Sequence, residues 1–314
     1  MRWEYRNMRP GFGEALVELG KRYQQVVALN ADLSGSTQTS PFGKAFPERF
    51  WNVGVAEQNM MGISAGLAAT GKIVFASTFA MFATGRAYDQ IRQSIAYPKL
   101  NVKIVATHAG ITVGGDGASH QMHEDLALMR VLPHMTVIAP ADYYETKKAV
   151  LEVAENPGPC YIRLGRTNVP IIYDDSYDYR IGVADTLHDG EDVTIIAMGL
   201  MVSKALEAAE ELKSESISAR VINLSTVKPI DKNTVIKAAN ETGAIVTAEE
   251  HNMIVGMGSA VAEVLADYSP VPQRRVGIPD VFGESGESEE LMEAYGLTVE
   301  NIVESAKEAV SMKG

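Results

Sequence analysis

A single cysteine, Cys160, stands in 314 residues, so no intrachain disulfide can form. It lies in the mostly apolar run Pro159-Cys-Tyr-Ile-Arg-Leu164, which suits a small core residue better than a nucleophile. One thiol also fits a reducing compartment. No window is apolar for long enough to cross a membrane. The opening Met1-Arg-Trp-Glu-Tyr-Arg-Asn7 lacks the apolar core of a secretion signal, so a cytoplasmic location is expected. Repeats of solenoid length and low-complexity tracts are missing. Positive charge is scarce in the second part of the chain. Residues 171–314 hold 11 Lys+Arg against 26 Asp+Glu, whereas residues 1–170 hold 17 against 14. The second part therefore repels nucleic acid and anionic membranes, and neither is expected as a partner. The first part can host anionic substrates.

What is present is ordinary in amount and ordered in pattern. Hydrophobic residues make up 46% and charged residues 22%, enough for sizeable cores in two domains of common size. Short β-rich runs alternate with helical segments. Strands are expected at 25–30, 72–77, 102–107, 135–139 and 160–164, with helices near 57–70, 82–96, 121–130 and 142–155. Residues 167–190 break the periodicity and read as a linker. Strands resume at 193–198, 218–224, 244–248 and 274–278. The expected fold is α/β: two consecutive domains, 1–175 and 190–314, each a mainly parallel sheet flanked by helices.

Ligands of such sheets sit at the carboxyl ends of strands, and polar residues gather there in the first domain. The first strand runs into Asn30-Ala-Asp-Leu-Ser-Gly-Ser36, the second into Thr78-Phe79, the third into Thr107-His108 and a glycine-rich stretch ending at His120, and the last into Arg163-Leu-Gly-Arg166. A further acid, Glu57, opens a helix rich in small residues (Gly62, Ser64, Ala65, Gly66, Ala68), against which another backbone or subunit could pack closely. A buried acid needs a partner or goes neutral. Facing Phe79 and Phe82, it suits a flat nitrogen heterocycle. The same residues also fit a capping acid and two core phenylalanines.

Four motifs in order decide between these readings: Gly54-Val-Ala-Glu57-Gln, Thr78-Phe-Ala-Met-Phe82, Thr107-His108 with Gly115-Asp-Gly-Ala-Ser-His120-Gln, and Arg163-Leu-Gly-Arg166-Thr-Asn. Together they resemble the pyrimidine-binding domain of transketolase. The second half, ending in Asp280-Val-Phe-Gly-Glu-Ser-Gly286 and Glu290-Leu-Met-Glu-Ala-Tyr-Gly-Leu-Thr298, is similar to the transketolase C-terminal domain. The family binds thiamine diphosphate between two domains. The other domain holds the diphosphate and a Mg2+ or Ca2+ ion through Gly-Asp-Gly and a later asparagine. The Gly-Asp-Gly here, Gly115–Gly117, lies where the family has its substrate loop, and the next asparagine is Asn156. No metal role is therefore given to Asp116, and no metal ligand to this chain. The resemblance implies the C-terminal subunit of a split transketolase, with the diphosphate domain on an N-terminal partner and an α2β2 assembly.

The resemblance also implies roles. Glu57 matches the acid that hydrogen-bonds N1′ of the aminopyrimidine and promotes its imino tautomer. Phe79 and Phe82 match the aromatic wall against that ring. Asp32 aligns with a residue near the cofactor and the partner chain. His120 and Asp116 match an acid–base or orienting histidine and an acid that contacts a sugar hydroxyl. Arg9, Ser36, His108 and Arg166 match sugar-phosphate ligands, for which guanidinium forks are suited. Gly85 stands where a wall tyrosine is common, and Arg86-Ala-Tyr88-Asp-Gln and Val227-Lys-Pro-Ile-Asp231 are closer to 1-deoxyxylulose-5-phosphate synthase. That synthase, a specialised sugar transketolase, a 2-oxo-acid dehydrogenase β-subunit and a non-catalytic assembly subunit remain as alternatives. Glu249-Glu-His251 and Gly256-Met-Gly258 read as interface loops of a domain with no essential catalytic group.

Overall fold

The computed structural model describes residues 3–313; Met1, Arg2 and Gly314, at the ends of the two expected domains, lie outside. The strands, in chain order, are β1 (Tyr5–Asn7), β2 (Val26–Asn30), β3 (Phe50–Asn52), β4 (Ile73–Phe79), β5 (Val102–Thr107), β6 (Thr136–Ile138), β7 (Cys160–Arg163), β8 (Asn168–Pro170), β9 (Asp185–His188), β10 (Val193–Ala197), β11 (Ala219–Asn223), β12 (Thr226–Lys228), β13 (Ile245–Asn252) and β14 (Gln273–Ile278). Among the described residues they form three sheets. The largest has the order β12-β6-β7-β5-β4-β2-β3, the next β14-β13-β10-β11-β9, and β1 pairs with β8. Both large sheets are parallel apart from one antiparallel edge strand each, β12 on β6 and β9 on β11. The expected class, two consecutive mainly parallel sheets flanked by helices, is the class observed.

The central strands β2, β5 and β7 are buried along their whole length, because helices cover both faces of the sheet. One cover is the helix Met8–Arg22. It lays Phe12, Leu16 and Leu19 on the sheet and is capped by Asn7, whose side chain accepts from Arg9 N at 3.1 Å. No helix is placed there from the sequence, and Pro10, Gly11 and Gly13 are poor helix formers. Both glycines are needed: a Cβ on Gly11 would meet Tyr143 O at 2.6 Å, and one on Gly13 would meet Gln38 O at 2.7 Å.

Other departures matter more for the site. The helix expected at 82–96 is three pieces: π-helical turns at Met81–Arg86 and Ile91–Ala96 around a short turn at Tyr88–Gln90. The helix expected from 121 begins only at Asp125, because Met122 is drawn into a bridge with Ala109. The expected linker contains the whole of β8 and β9. Finally, β12 leaves the second half of the chain to pair with β6 of the first sheet. One hydrophobic cluster accordingly runs from Val27 and Val74 through Ile222, Val235 and Val261.

Candidate active site

The π-helical turn after β4 carries Phe82 and Arg86 away from the sheet, while Phe79 ends the strand itself. Insertions of this kind recur at functional sites. Phe79 and Phe82 stack with centroids 6.0 Å apart and an angle of 16° between planes. Phe79 also stacks on His108 at 3.8 Å, and Phe82 meets His120 edge-on at 5.3 Å. Residues from three separate segments thus make one aromatic surface.

His108 follows β5 with φ +57°, a left-handed conformation that is uncommon away from glycine. Its ring Nδ1 lies 2.8 Å from Thr107 Oγ1. Burial pushes its pKa down to about 3, with the charges of Arg9, Arg166 and His120 adding to the effect. It is therefore neutral in the folded chain at ordinary pH. His120 is half-buried, with Nδ1 2.9 Å from Ser119 Oγ.

Glu57 is the first residue of the helix Glu57–Ala69, where the backbone N–H groups favour an anion. Its side chain is 1% exposed and has a partner: Arg86 Nη1 lies 2.8 Å from Glu57 Oε2. The same guanidinium sits 4.5 Å from the centre of Phe82. Arg86 is 46% exposed, so the buried acid is held by a group that solvent still reaches. The sequence reading quoted Arg86 only as a family marker. No spacing rule links it to Glu57, because the π turn sets the distance.

A second group forms a cavity of about 580 Å3 beside the first. Arg9, Asp116 and Arg166 line it, with Asn7, Gly286 and Ser288. Arg9 donates to Ser36 O at 2.9 Å and to Arg166 O at 3.2 Å, and Arg166 donates to Val113 O. Burial and the charge of Arg166 lower the pKa of Arg9. Two cations held this close, with a neutral histidine beside them, make a locus for an oxyanion. Ser36 meets the group through its carbonyl. Asp32 stands apart at the end of β2, with φ +63°, paired to Asn52 Nδ2 at 3.0 Å. Nine of the ten expected positions therefore gather at one sheet edge, and Asp32 flanks them. Sequence reasoning missed Gly286 and Ser288, which reach the cavity from the second half of the chain. Among the described residues no group of three or more His, Cys, Asp or Glu is arranged to hold a metal ion.

An aromatic face beside a buried acid, next to a cationic cavity at the carboxyl edge of a parallel sheet, gives an α/β protein with two adjoining zones of the kind that suit a ligand. Comparison with known proteins makes this specific. Residues 4–171 match the family described as transketolase, pyrimidine binding domain, and residues 182–302 match transketolase, C-terminal domain. The chain belongs to the transketolase family. It is 55% identical over 307 residues to a transketolase C-terminal section of Methanocaldococcus jannaschii, covering 97% of this chain and 96% of that one. It is 44% identical to a 6-deoxy-6-sulfo-D-fructose transketolase subunit of Clostridium sp. strain MSTE9, covering 98% and 95%. A solved structure described as a split gene transketolase, inactive beta4 tetramer, superposes with a TM-score of 0.93 at 54% identity, covering 98% of this chain and 99% of that one.

Proposed function

We propose that this chain is one subunit of a thiamine-diphosphate-dependent transketolase. The enzyme moves a two-carbon ketol unit from a ketose phosphate to an aldose phosphate. The chain would supply a pyrimidine-binding domain, 1–175, and a C-terminal domain, 190–314. An N-terminal partner subunit would supply the diphosphate site and the Mg2+ or Ca2+ ligands, in a cytoplasmic α2β2 assembly. The observation that carries this reading is the pair of adjoining zones: Glu57, Phe79 and Phe82 beside the cavity of Arg9 and Arg166.

The residues present fit the cofactor's pyrimidine. An aromatic face and a carboxylate aimed from a helix N-terminus match a flat ring with a basic nitrogen. When bound, thiamine diphosphate would supply the carbon nucleophile and the electron sink for breaking a carbon–carbon bond. Glu57 would hydrogen-bond the ring nitrogen, and Phe79 and Phe82 would pack the ring face. His120 would hold or move a proton at a sugar oxygen, with Asp116 on a neighbouring hydroxyl. Arg9, Ser36, His108 and Arg166 would take the phosphate, His108 as a neutral hydrogen-bonding ring. Asp32, outside this cluster, would face cofactor and partner. The open side of the Glu57–Ala69 helix, with Gly62, Ile63 and Gly66 exposed, is where the partner would pack.

A second reading changes only the tail of the sugar. The relative named for 6-deoxy-6-sulfo-D-fructose makes a sulfonated ketose a competing donor, since a sulfonate presents three oxygens of the same geometry. Reconstitution tests both. The chain alone, with cofactor and magnesium, should transfer no ketol unit, and adding the partner should restore transfer from a ketose phosphate to ribose 5-phosphate. Robust activity of the chain alone refutes the split reading. Decarboxylation of pyruvate by the complex, in place of ketose cleavage, moves it to the 1-deoxyxylulose-5-phosphate synthase class.

A further inference from the structure

The loop Ile111–Asp116 forms one wall of the cationic cavity, and its backbone is held mainly from outside itself. Thr112 N donates to Glu250 Oε1 at 2.9 Å, and Thr112 O accepts from Ser288 Oγ at 2.9 Å. Gln121 Nε2 donates to Ile111 O at 3.2 Å, to Gly114 O at 3.1 Å and to Glu284 O at 2.8 Å. The amide of Gln121 is thus a knot between the loop and the 283–288 segment of the second half. Its Oε1 is buried and has no hydrogen-bond partner among the described residues, so the three carbonyls fix its orientation. Glu250 is anchored in turn by Arg163, whose Nη2 donates to Glu250 O at 2.7 Å and whose Nη1 lies 3.7 Å from Glu250 Oε2.

The approach is too close for side chains. A Cβ on Gly110 would overlap the Glu250 carboxylate, and one on Gly283 would overlap Gln121 Oε1. Gly114 has φ +79° and faces Gly286 O, where a Cβ would stand 3.2 Å away. The loop in turn holds the cavity's chemistry. Arg166 donates to Val113 O, and Asp116 is the loop's last residue.

We propose that Gln121 and Glu250 are positioning residues, through which the second domain sets the orientation of Arg166 toward the anionic end of the substrate. The proposal rests on the sugar-phosphate reading above and extends it. The second domain, expected to carry no essential catalytic group, becomes a determinant of which anionic sugar is accepted. Neither residue touches the substrate; each acts through the peptide groups of residues 111–116.

Gln121→Met keeps volume and removes the donors. In the complex reconstituted with the partner, it should raise KM for a phosphorylated ketose by about fivefold to tenfold, with kcat within about twofold and KM for an unphosphorylated ketose unmoved. Added to Arg166→Ala, it should cost almost nothing further, because both changes act on one contact. Glu250→Gln can still accept from Thr112 N and should recover most of the KM that Glu250→Ala loses. Equal penalties on both sugars, or full additivity with Arg166→Ala, overturn the proposal. If Gln121→Met folds poorly, Ser288→Ala gives the same split at smaller amplitude, and a flat response there overturns it too. A wild-type complex that turns over no sugar phosphate refutes the functional reading instead. Amide hydrogen exchange at residues 111–116 of the chain alone then decides the positioning claim. Gln121→Met should speed it about tenfold or more, and unchanged exchange overturns it.

Discussion

In the seven-stranded sheet, β4 and β5 end in Phe79 and Thr107, and the polar groups beyond them line a cavity and an aromatic face. In the five-stranded sheet, β11 and β13 end in Asn223 and Asn252, and the acids there are paired inside the molecule. Glu249 accepts from Met257 N at 2.6 Å and Gly258 N at 2.7 Å. Asn223 donates to both oxygens of Glu145 at 3.0 Å. Glu250 spends itself on Thr112 N and Arg163. Two sheets of one type therefore use the same edge oppositely. The difference lies in whether a buried charge finds its partner in a fixed backbone group or in a side chain that solvent still reaches. Glu249 is held by the N-terminus of Met257–Tyr268, whereas Glu57 is held by a half-exposed arginine. Both oxygens of the first acid accept from fixed backbone donors, whereas the second acid is paired with a side chain that solvent reaches.

The pair Glu57 and Glu249 gives the largest expected contrast. Glu57→Gln in the reconstituted complex should lower turnover by about 10²–10⁴-fold while partner assembly stays intact, because an amide cannot take part in proton chemistry at the ring. Glu249→Gln should leave turnover within a few-fold and destabilise the chain by about 1–3 kcal/mol, since an amide caps two N–H groups poorly. Turnover and urea unfolding of the two variants measure this directly. A Glu57→Gln enzyme near wild type removes the catalytic assignment.

The sequence made the fold class legible, and with it the clustering of most candidate site residues at one sheet edge, because both depend on local signals. Buried strands read as β-branched runs, and strand ends read as His, Asp and Arg after apolar stretches. The contact between Glu57 and Arg86 was not legible, since 29 residues and a π turn separate them. The bracing by Gln121 and Glu250 was hidden for a related reason. Gln121 sits in a motif whose histidine draws attention, and Glu250 lies 138 residues from the amide it holds. The pairing of β12 with β6 was invisible because a three-residue strand carries too little pattern to predict. The N-terminal helix was lost to glycines whose purpose, close packing on Tyr143 and Gln38, only the tertiary structure shows.

A smaller effect is expected at the cationic end of the open edge. On the proposed reading, Arg166→Ala removes a charged hydrogen bond to the substrate's anionic group, worth about 1.5–3 kcal/mol, so kcat/KM for phosphorylated sugars should fall about tenfold to a hundredfold. Unphosphorylated analogues never make that bond and should be nearly unaffected. Steady-state kinetics with matched sugar pairs, and with a sulfonated ketose as third substrate, sharpen the comparison. Equal losses on all three make Arg166 a structural residue like Arg163, and the open edge would then resemble the closed one.

The effect that is smallest per unit change is in pH, where the two edges pull in opposite directions. His108 has its pKa pushed from the ordinary 6.5 to about 3, first by burial and then by Arg9, Arg166 and His120. Its folded form refuses a proton that the unfolded chain accepts. The stability tied to it is therefore complete above pH 6.5 and is lost as pH falls through that value toward 3. Glu249 and Glu145 are pushed up from 4.5 to about 7 by burial, against the pull of their backbone donors. Their folded forms keep a proton that the unfolded chain releases. The stability tied to them is complete below pH 4.5 and is lost as pH rises through 7. Urea unfolding between about pH 4 and pH 8 should show His108→Asn flattening the acid limb and Glu249→Gln flattening the neutral limb, each by at most about 1.4 kcal/mol per pH unit. Inorganic phosphate should raise the His108 pKa, because an anion between Arg9 and Arg166 offsets the part of the depression that their charges add to burial. The imidazole resonances report this without any turnover. A His108 that titrates near 6.5 in the free chain, or one that ignores phosphate, would separate it from the two arginines and leave the anion site to them alone.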